Sequence, residues 1–262
     1  MTASRKLLYG VVHIPALPGT PFHRSGTFPD IVRGVLDQAQ AMSAGGMDGA
    51  LLQTVDRVYS VQDSADPARV AAMSILAHEV RNQSPTEFAV GVQIMRHAVS
   101  ASLAVAKLTG ASFVRADAIV GATLSTHGWV EPDPLQIMTY RKTIEAMDVD
   151  LIADIDSMHY QWAGVNESTG GVAKRALTVG ADAVCIAHPD TEQTQRKVTD
   201  IRQRTPGARI MLGGFVDHEN AAKVLADADG AFVSGCLVDK RTPDRVDVHR
   251  VQELVQTVRG LA

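Results

Sequence analysis

Cysteine is almost missing from this chain: Cys185 and Cys236 are the only two in 262 residues, with no Cys-x-x-Cys spacing. A disulfide framework and a cysteine-rich metal cluster are thereby excluded, and both residues lie in or at the end of apolar runs, where a thiol packs as a small hydrophobe in a reducing compartment. Basic charge is not in excess. The net charge of −4 and a pI near 6.1 leave no footprint for nucleic acid or for an anionic membrane surface. No apolar run reaches the roughly 20 residues that span a bilayer, and the opening MTASRKLLYG has no apolar stretch of the secretory kind. A soluble, cytoplasmic chain without membrane insertion is expected. Two further absences bear on chemistry. The first apolar run is followed by PALPG rather than G-x-G-x-x-G, which argues against an open dinucleotide-binding sheet. Lysine is also absent within or immediately after the first seven strand candidates; Lys107, Lys142, Lys174, Lys197 and Lys223 belong to helical segments, and Lys240 follows the eighth by several residues. A Schiff-base aldolase needs a lysine in the mouth, so imine chemistry is not expected.

What is present is repetition. GMDGALLQ from Gly46, GASFVRAD from Gly110 and GADAVCIA from Gly180 share one plan, with a degenerate copy, ADGAFVSG, from Ala228. A glycine ends a helix in the left-handed conformation, a short polar residue follows, and a buried strand begins. Counting on this plan gives strands at 7–14, 49–53, 88–94, 112–116, 150–155, 182–187, 208–213 and 229–234. Helical periodicity lies between them at about 30–44, 67–81, 97–108, 133–147, 168–179, 191–203 and 217–227, then 243–258, with Asp30 as N-cap of the first. Eight strand–helix alternations predict a parallel sheet closed on itself, a TIM (β/α)8 barrel, as a single domain over 1–262. The loops leaving the first, second, fourth and fifth strands are long, and the fourth holds two short β-like runs around His127-Gly128.

Several stretches carry a family resemblance: GVVHIPALPGTP at 10–21, GVQIMRHAVSASLAVAKLTGASFVRADAIVGATLSTHGWVE at 91–131, LIADID at 151–156 and GGFVDHENAAKVLADADGAFVSG at 213–235. The chain resembles the BtpA family over nearly its whole length, a family that includes a cyanobacterial photosystem I biogenesis factor and SgcQ-like bacterial proteins. The resemblance implies a TIM-type barrel similar to those that bind sugar phosphates. It brings no established reaction. The chain departs from the pattern after the fifth strand, with Asp156 and Met158 where His and Lys are expected, and after the sixth, with Ala187-His188 in place of Thr-Gly.

Barrel chemistry is built on the strand ends that face one mouth. The polar residues there are His13, Gln53, Gln93, Arg96, Arg115, Asp117, Asp154, Asp156, His159 and His188. His13 is the leading acid/base candidate, since an imidazole titrates nearest neutrality. Asp154 and Asp156, two apart along a strand, are expected to face the same side as a carboxylate pair. With His13 and His159 they form a set that a divalent metal would accept, although no H-x-H or H-E-x-x-H spacing occurs; no cofactor is required. Arg96 and Arg115 are candidates to hold an anion or to pair with Asp117 or Asp154. The small-residue turns Gly213-Gly214 and Ser234-Gly235 follow the seventh and eighth strands, where barrels close bare backbone amides on a phosphate. His159 and His188 read as loop surface, and Tyr160 and Trp162 as a mouth cover or an oligomer contact. The resulting expectation is an enzyme acting by acid/base chemistry, as an isomerase, lyase or hydrolase, on a phosphorylated sugar or nucleoside-like metabolite. The alternative is a non-catalytic assembly factor whose barrel serves as a protein-binding scaffold. A homo-oligomer is expected for such a barrel.

Overall fold

The computed structural model describes residues 5–164, 166–239 and 245–260; Lys240 lies outside them. Eight parallel strands close into a barrel. In chain order the elements are β1 (Leu7–Ile14), α1 (Phe28–Ala44), β2 (Gly49–Thr54), α2 (Pro67–Gln83), β3 (Ala89–Gln93), α3 (Val99–Thr109), β4 (Phe113–Ala116), a hairpin of β5 (Thr123–Ser125) and β6 (Gly128–Val130), α4 (Pro134–Thr143), β7 (Asp150–Asp156), α5 (Thr169–Val179), β8 (Ala183–Ile186), α6 (Thr191–Arg204), β9 (Ile210–Leu212), α7 (Ala221–Val224), β10 (Gly230–Val233) and α8 (Val248–Arg259). The ring runs β1-β10-β9-β8-β7-β4-β3-β2, and the hairpin stands apart as a two-stranded ribbon. Among the described residues no helix is long and apolar enough to cross a membrane.

Two local expectations change. Helix α1 begins at Phe28 with a proline in its first turn and Thr27 at the cap position, so Asp30 lies inside the helix rather than capping it. Helix α7 is a single turn instead of spanning 217–227. There the Asp217 carboxylate accepts from the amides of Glu219 and Asn220, while the Asp217 amide donates to the Asn220 side chain. Such local side-chain bonds compete with helix propagation.

The repeated Gly-x-Asp-strand pattern has a physical basis at the base of the barrel. Gly110 and Gly180 end their helices at φ 72° and 115°, and Gly46 follows α1 at φ 90°. The aspartate that follows forms the same clamp three times. Asp48, Asp182 and Asp229 each give their amide to a carbonyl of the neighbouring strand, at Leu8, Leu151 and Ile210. Each carboxylate then accepts the amide of that same residue at 2.7–2.8 Å. An arginine from the helix preceding that neighbouring strand completes each unit: Arg259 on Asp48, Arg141 on Asp182 and Arg202 on Asp229. At the fourth strand the position is Ser112, too short to do this, and Arg81 instead donates to the carbonyls of Ser84, Pro85 and Phe88.

Above this layer the barrel is filled by aromatic rings. Tyr9 stacks on Phe113 at 4.7 Å between centroids, and Phe232 tilts against both. Position 91 must be glycine, because a Cβ there would lie 2.0 Å from the Phe113 ring. Two residues further along, Gln93, Arg115 and Ser234 follow Gly91, Phe113 and Phe232, while Val11 above Tyr9 stays apolar.

Truncation of Asp182 tests the clamp. Asp182→Ala removes the acceptor of the Leu151 amide and the carboxylate on Arg141, which keeps the Ala146, Val149 and Gly180 carbonyls, so a loss of about 1–3 kcal/mol is expected by urea unfolding; a loss below about 0.5 kcal/mol would contradict the clamp.

Candidate functional site

A buried ion pair is the floor of the mouth. Arg115, from β4, meets Asp154, from β7, as a fork: Nε to Oδ1 at 3.1 Å and Nη2 to Oδ2 at 3.1 Å. Both residues are buried, and the guanidinium lies 5.0 Å from the Phe232 ring centre. Burial works against the Arg115 cation, but the Asp154 carboxylate outweighs it and raises the Arg115 pKa. The pair also explains Gly213, whose added Cβ would fall 2.7 Å from Arg115 Nη2 and 2.7 Å from Cys185 Sγ. Neither Arg115 nor Asp154 is free for catalysis by itself.

Asp117, one residue past β4, is different. It is 1% exposed; Gln93 Nε2 donates to its Oδ1 at 2.9 Å, and Arg96 Nη1 stands 3.9 Å from its Oδ2. Oδ2 has no hydrogen-bond partner. Burial pushes the Asp117 pKa up to about 7, opposed by Arg96, reinforced by the Asp154 charge, and opposed again by Arg115 and by the Gln93 bond. This carboxyl therefore exchanges its proton in the neutral range, which is what a general acid or base requires.

His159 joins the group, contrary to its expected place on the loop surface. Ser157 Oγ donates to Asp154 at 3.1 Å and accepts the amides of His159 and Tyr160, which folds the loop after β7 back over the mouth. Arg96 Nη1 then donates to His159 Nδ1 at 3.0 Å. A ring that accepts at Nδ1 carries its proton on Nε2. Burial, with Arg115, Arg96 and His13 outweighing Asp154, lowers the His159 pKa to about 4, so it is neutral at physiological pH. His13, at the end of β1, is exposed to solvent as a residue, but atoms crowd its ring from the mouth side, and this desolvation together with Arg115 lowers its pKa. Register places His13 beside Gln53 and Gln53 beside Gln93, a polar row across three adjacent strands.

Asp156 does not join. A register shift between Asp154 and Asp156 breaks the two-residue alternation, and Asp156 binds Lys197 Nζ at 2.7 Å and Thr169 Oγ1 at 2.7 Å on α6 and α5. The expected same-facing carboxylate pair is thus not formed. Among the described residues no three His, Cys, Asp or Glu side chains converge as cation ligands. His188 accepts the Asp190 amide at the start of α6. Tyr160 is buried, with its hydroxyl on the Val120 carbonyl, and Trp162 packs where Gly121 leaves room. They fasten one loop to another instead of facing solvent. Tyr59, which the sequence did not single out, covers Arg96 at 5.5 Å and is braced by the edge of His127 on the hairpin.

The two small-residue turns are unequal. The Gly213 amide is spent on the Ile186 carbonyl. Gly214, at φ 144°, and Gly235 donate their amides to no other group among the described residues. Ser234 and Gly235 lie between two cavities. One, of about 600 Å³, is lined by the acidic Asp217, Glu219 and Glu253 as well as Gly214, His218 and Arg250. The other, of about 770 Å³, is lined by His13, Arg24, Phe22 and the α1 face, with Asp30 its one acidic residue.

The Asp117 carboxyl gives a pH-dependent stability. Its folded pKa stands above the unfolded value, so stability falls as pH rises from about 4 to about 7 and is level above that. An upper bound for the fall is about 4 kcal/mol. Asp117→Asn removes the ionisation, so urea unfolding is expected to show the variant gaining on the wild type by about 2–4 kcal/mol between pH 4.5 and pH 8. Equal slopes for the two proteins would place the Asp117 pKa at its ordinary value.

The BtpA family model matches residues 4–260. A mitochondrial protein of Caenorhabditis elegans, F13E9.13, is 30% identical, aligned over 100% of this chain and 96% of its own. The photosystem I biogenesis protein BtpA of Synechocystis is 25% identical over 87% of this chain and 79% of its own. Among solved structures, N-(5'-phosphoribosyl)anthranilate isomerase from Pyrococcus furiosus superposes with a TM-score of 0.54 at 14% identity, covering 97% of this chain and 99% of that one. The 2-keto-3-deoxy-6-phosphogluconate aldolase of Zymomonas mobilis gives 0.57 at 13% identity, covering 98% and 92%; at these identities the likeness is one of fold. With a closed eight-stranded parallel barrel and a family match over almost its full length, the chain belongs to the BtpA family.

Proposed function

We propose that this protein is an enzyme that moves a proton on a phosphorylated small metabolite, with Asp117 as the proton carrier. The observation that carries the reading is the Asp117 carboxyl, buried at a strand end, half-partnered, and titrating at about 7. His159, neutral and fixed by Arg96, supplies a hydrogen-bond donor for charge that develops on a substrate oxygen. His13 stands at the rim as a second, uncharged base. Asp154 holds Arg115 in place, and Asp156 belongs outside the reaction. No lysine among the described residues is assigned a part, so the chemistry proposed is isomerisation, elimination or hydrolysis without an imine. The phosphate is bound by the Gly235 amide with the Ser234 hydroxyl, which line the His13 cavity, where acidic side chains are fewer; Gly214 lines only the other cavity.

The scaffold reading has one observation in its favour. Leu124 and Trp129, 66% and 52% exposed, sit side by side on the hairpin beside the mouth, and the Synechocystis relative is named for photosystem I biogenesis. Nothing in that surface needs a buried carboxyl with a shifted pKa, so the enzyme reading is preferred.

Calorimetric titration with inorganic phosphate tests the anion site. A Cβ at Gly235 meets no atom within 4 Å, so Gly235→Val keeps the fold while obstructing the amide. Binding by the wild type with at least about a tenfold loss in the variant, equivalent to 1.4 kcal/mol, is expected; no binding, or equal binding, sinks the phosphate reading.

A further inference from the structure

Three polar atoms beside Asp117 have no hydrogen-bond partner: Asp117 Oδ2, Gln93 Oε1 and Arg96 Nε. They belong to one cluster, since Gln93 bonds to the Asp117 carboxylate at 2.9 Å and Arg96 stands 3.9 Å from its outer oxygen. Gln93 and Asp117 are 2% and 1% exposed. Native folds keep few orphaned buried polar atoms, because each forgoes a hydrogen bond that water would have made. Three in one cluster at the ends of two strands point to a polar guest.

The set specifies its guest. Two of the atoms are acceptors and one is a donor, so the partner must both donate and accept. A phosphate or carboxylate would be repelled by Asp117 and offers no proton to Gln93. An ammonium would satisfy both acceptors but meets the Arg96 guanidinium. An apolar group would leave all three unpaired. A hydroxyl fits: an oxygen about 2.8 Å from both Asp117 Oδ2 and Arg96 Nη1, whose second N–H is left over from the bond to His159, closes a triangle on their 3.9 Å separation, accepting from the guanidinium and donating to the carboxylate, while Arg96 Nε is left for a second oxygen. A vicinal hydroxyl serves Gln93 Oε1. Arg96 and the Tyr59 ring above it form the cover that must shift for entry.

We propose that Gln93, Arg96 and Asp117 form a subsite for hydroxyl groups, so that the metabolite is a sugar or polyol phosphate whose hydroxylated end reaches the ends of β3 and β4. The identification of the metabolite as a phosphate rests on the reading of the Ser234-Gly235 turn; the hydroxyl subsite itself does not. A hydroxyl hydrogen-bonded to Asp117 also stands next to the group assigned to carry the proton, so the subsite places the reacting carbon within reach of it.

The test compares ribose 5-phosphate with pentyl phosphate, which has no hydroxyls, by calorimetry, and follows free ribose by saturation-transfer NMR. Ribose 5-phosphate is expected to bind at least about tenfold more tightly than pentyl phosphate, the contribution of one or two hydrogen bonds to charged groups. Gln93→Met and Asp117→Asn should each bring that ratio close to one and abolish the ribose signal, while inorganic phosphate binds them as it binds the wild type. Gly235→Val should weaken every phosphate and spare the ribose signal. A wild-type ratio near one together with no ribose signal overturns the subsite whether or not phosphate binds. So does a ratio that survives both variants, or a crystal structure with ribose 5-phosphate in which an ordered water alone bridges the three atoms. Failure of inorganic phosphate alone, with the ribose signal present and sensitive to Gln93→Met, overturns the phosphate reading and leaves the hydroxyl subsite standing.

Discussion

The Arg115–Asp154 pair governs the mouth of this barrel. Two opposite charges taken out of water are tolerated only where their geometry is well satisfied, and the surroundings supply it. Glycine at 213 makes room for the guanidinium, Phe232 lies against it, and Ser157 donates to the carboxylate. Ser157 is also the point from which the following loop turns back, so the ion pair sets the position of His159, His159 receives Arg96, and Arg96 is the charge that faces Asp117. A single buried pair thereby determines how the polar side chains of the mouth are arranged.

Charge is distributed differently at the two ends. At the base, the aspartates of the clamps are matched with arginines and with a strand amide, and none is left wanting. At the mouth the balance is incomplete: Asp117 faces Arg96 at 3.9 Å, and both keep an unpaired atom. Full satisfaction stabilises a fold, whereas incomplete satisfaction in a dry place is what binds a ligand and shifts a pKa. One end of the barrel is satisfied and the other is left with open polar atoms.

The strands were legible because a parallel barrel strand is a short apolar run flanked by glycine, and the Gly-x-Asp repeat marked where several of them begin. The mouth was legible as a list but not as an arrangement. Two-residue alternation, applied to Asp154 and Asp156, failed because a single extra residue in β7 turns the Asp156 side chain outward, and no local pattern announces it. His159 could not be placed from sequence since its position depends on a hydroxyl two residues earlier finding a carboxylate on the strand. Tyr59 depends on contacts with a hairpin about seventy residues away. Helix α7 was misjudged for the opposite reason: its sequence is helical in pattern, but Asp217 and Asn220 satisfy each other locally first.

The last clamp closes the longest loop. Arg141 and Asp182 are 41 residues apart and Arg202 and Asp229 27 apart, whereas Arg259 reaches Asp48 across 211 residues and also donates to the Lys6 carbonyl. Helix α8 thus serves β1 as α4 serves β7 and α6 serves β9, so the same device spans the two ends of the chain. Until α8 is in place, the Asp48 carboxylate lacks the Arg259 cation, and β1 cannot pair with β10 before β10 exists. Closure over that distance carries the largest loop entropy in the set. The seam between β1 and β10 carries Ser234 and Gly235 on one side and His13 on the other, so the proposed anion site is assembled from the two ends of the chain.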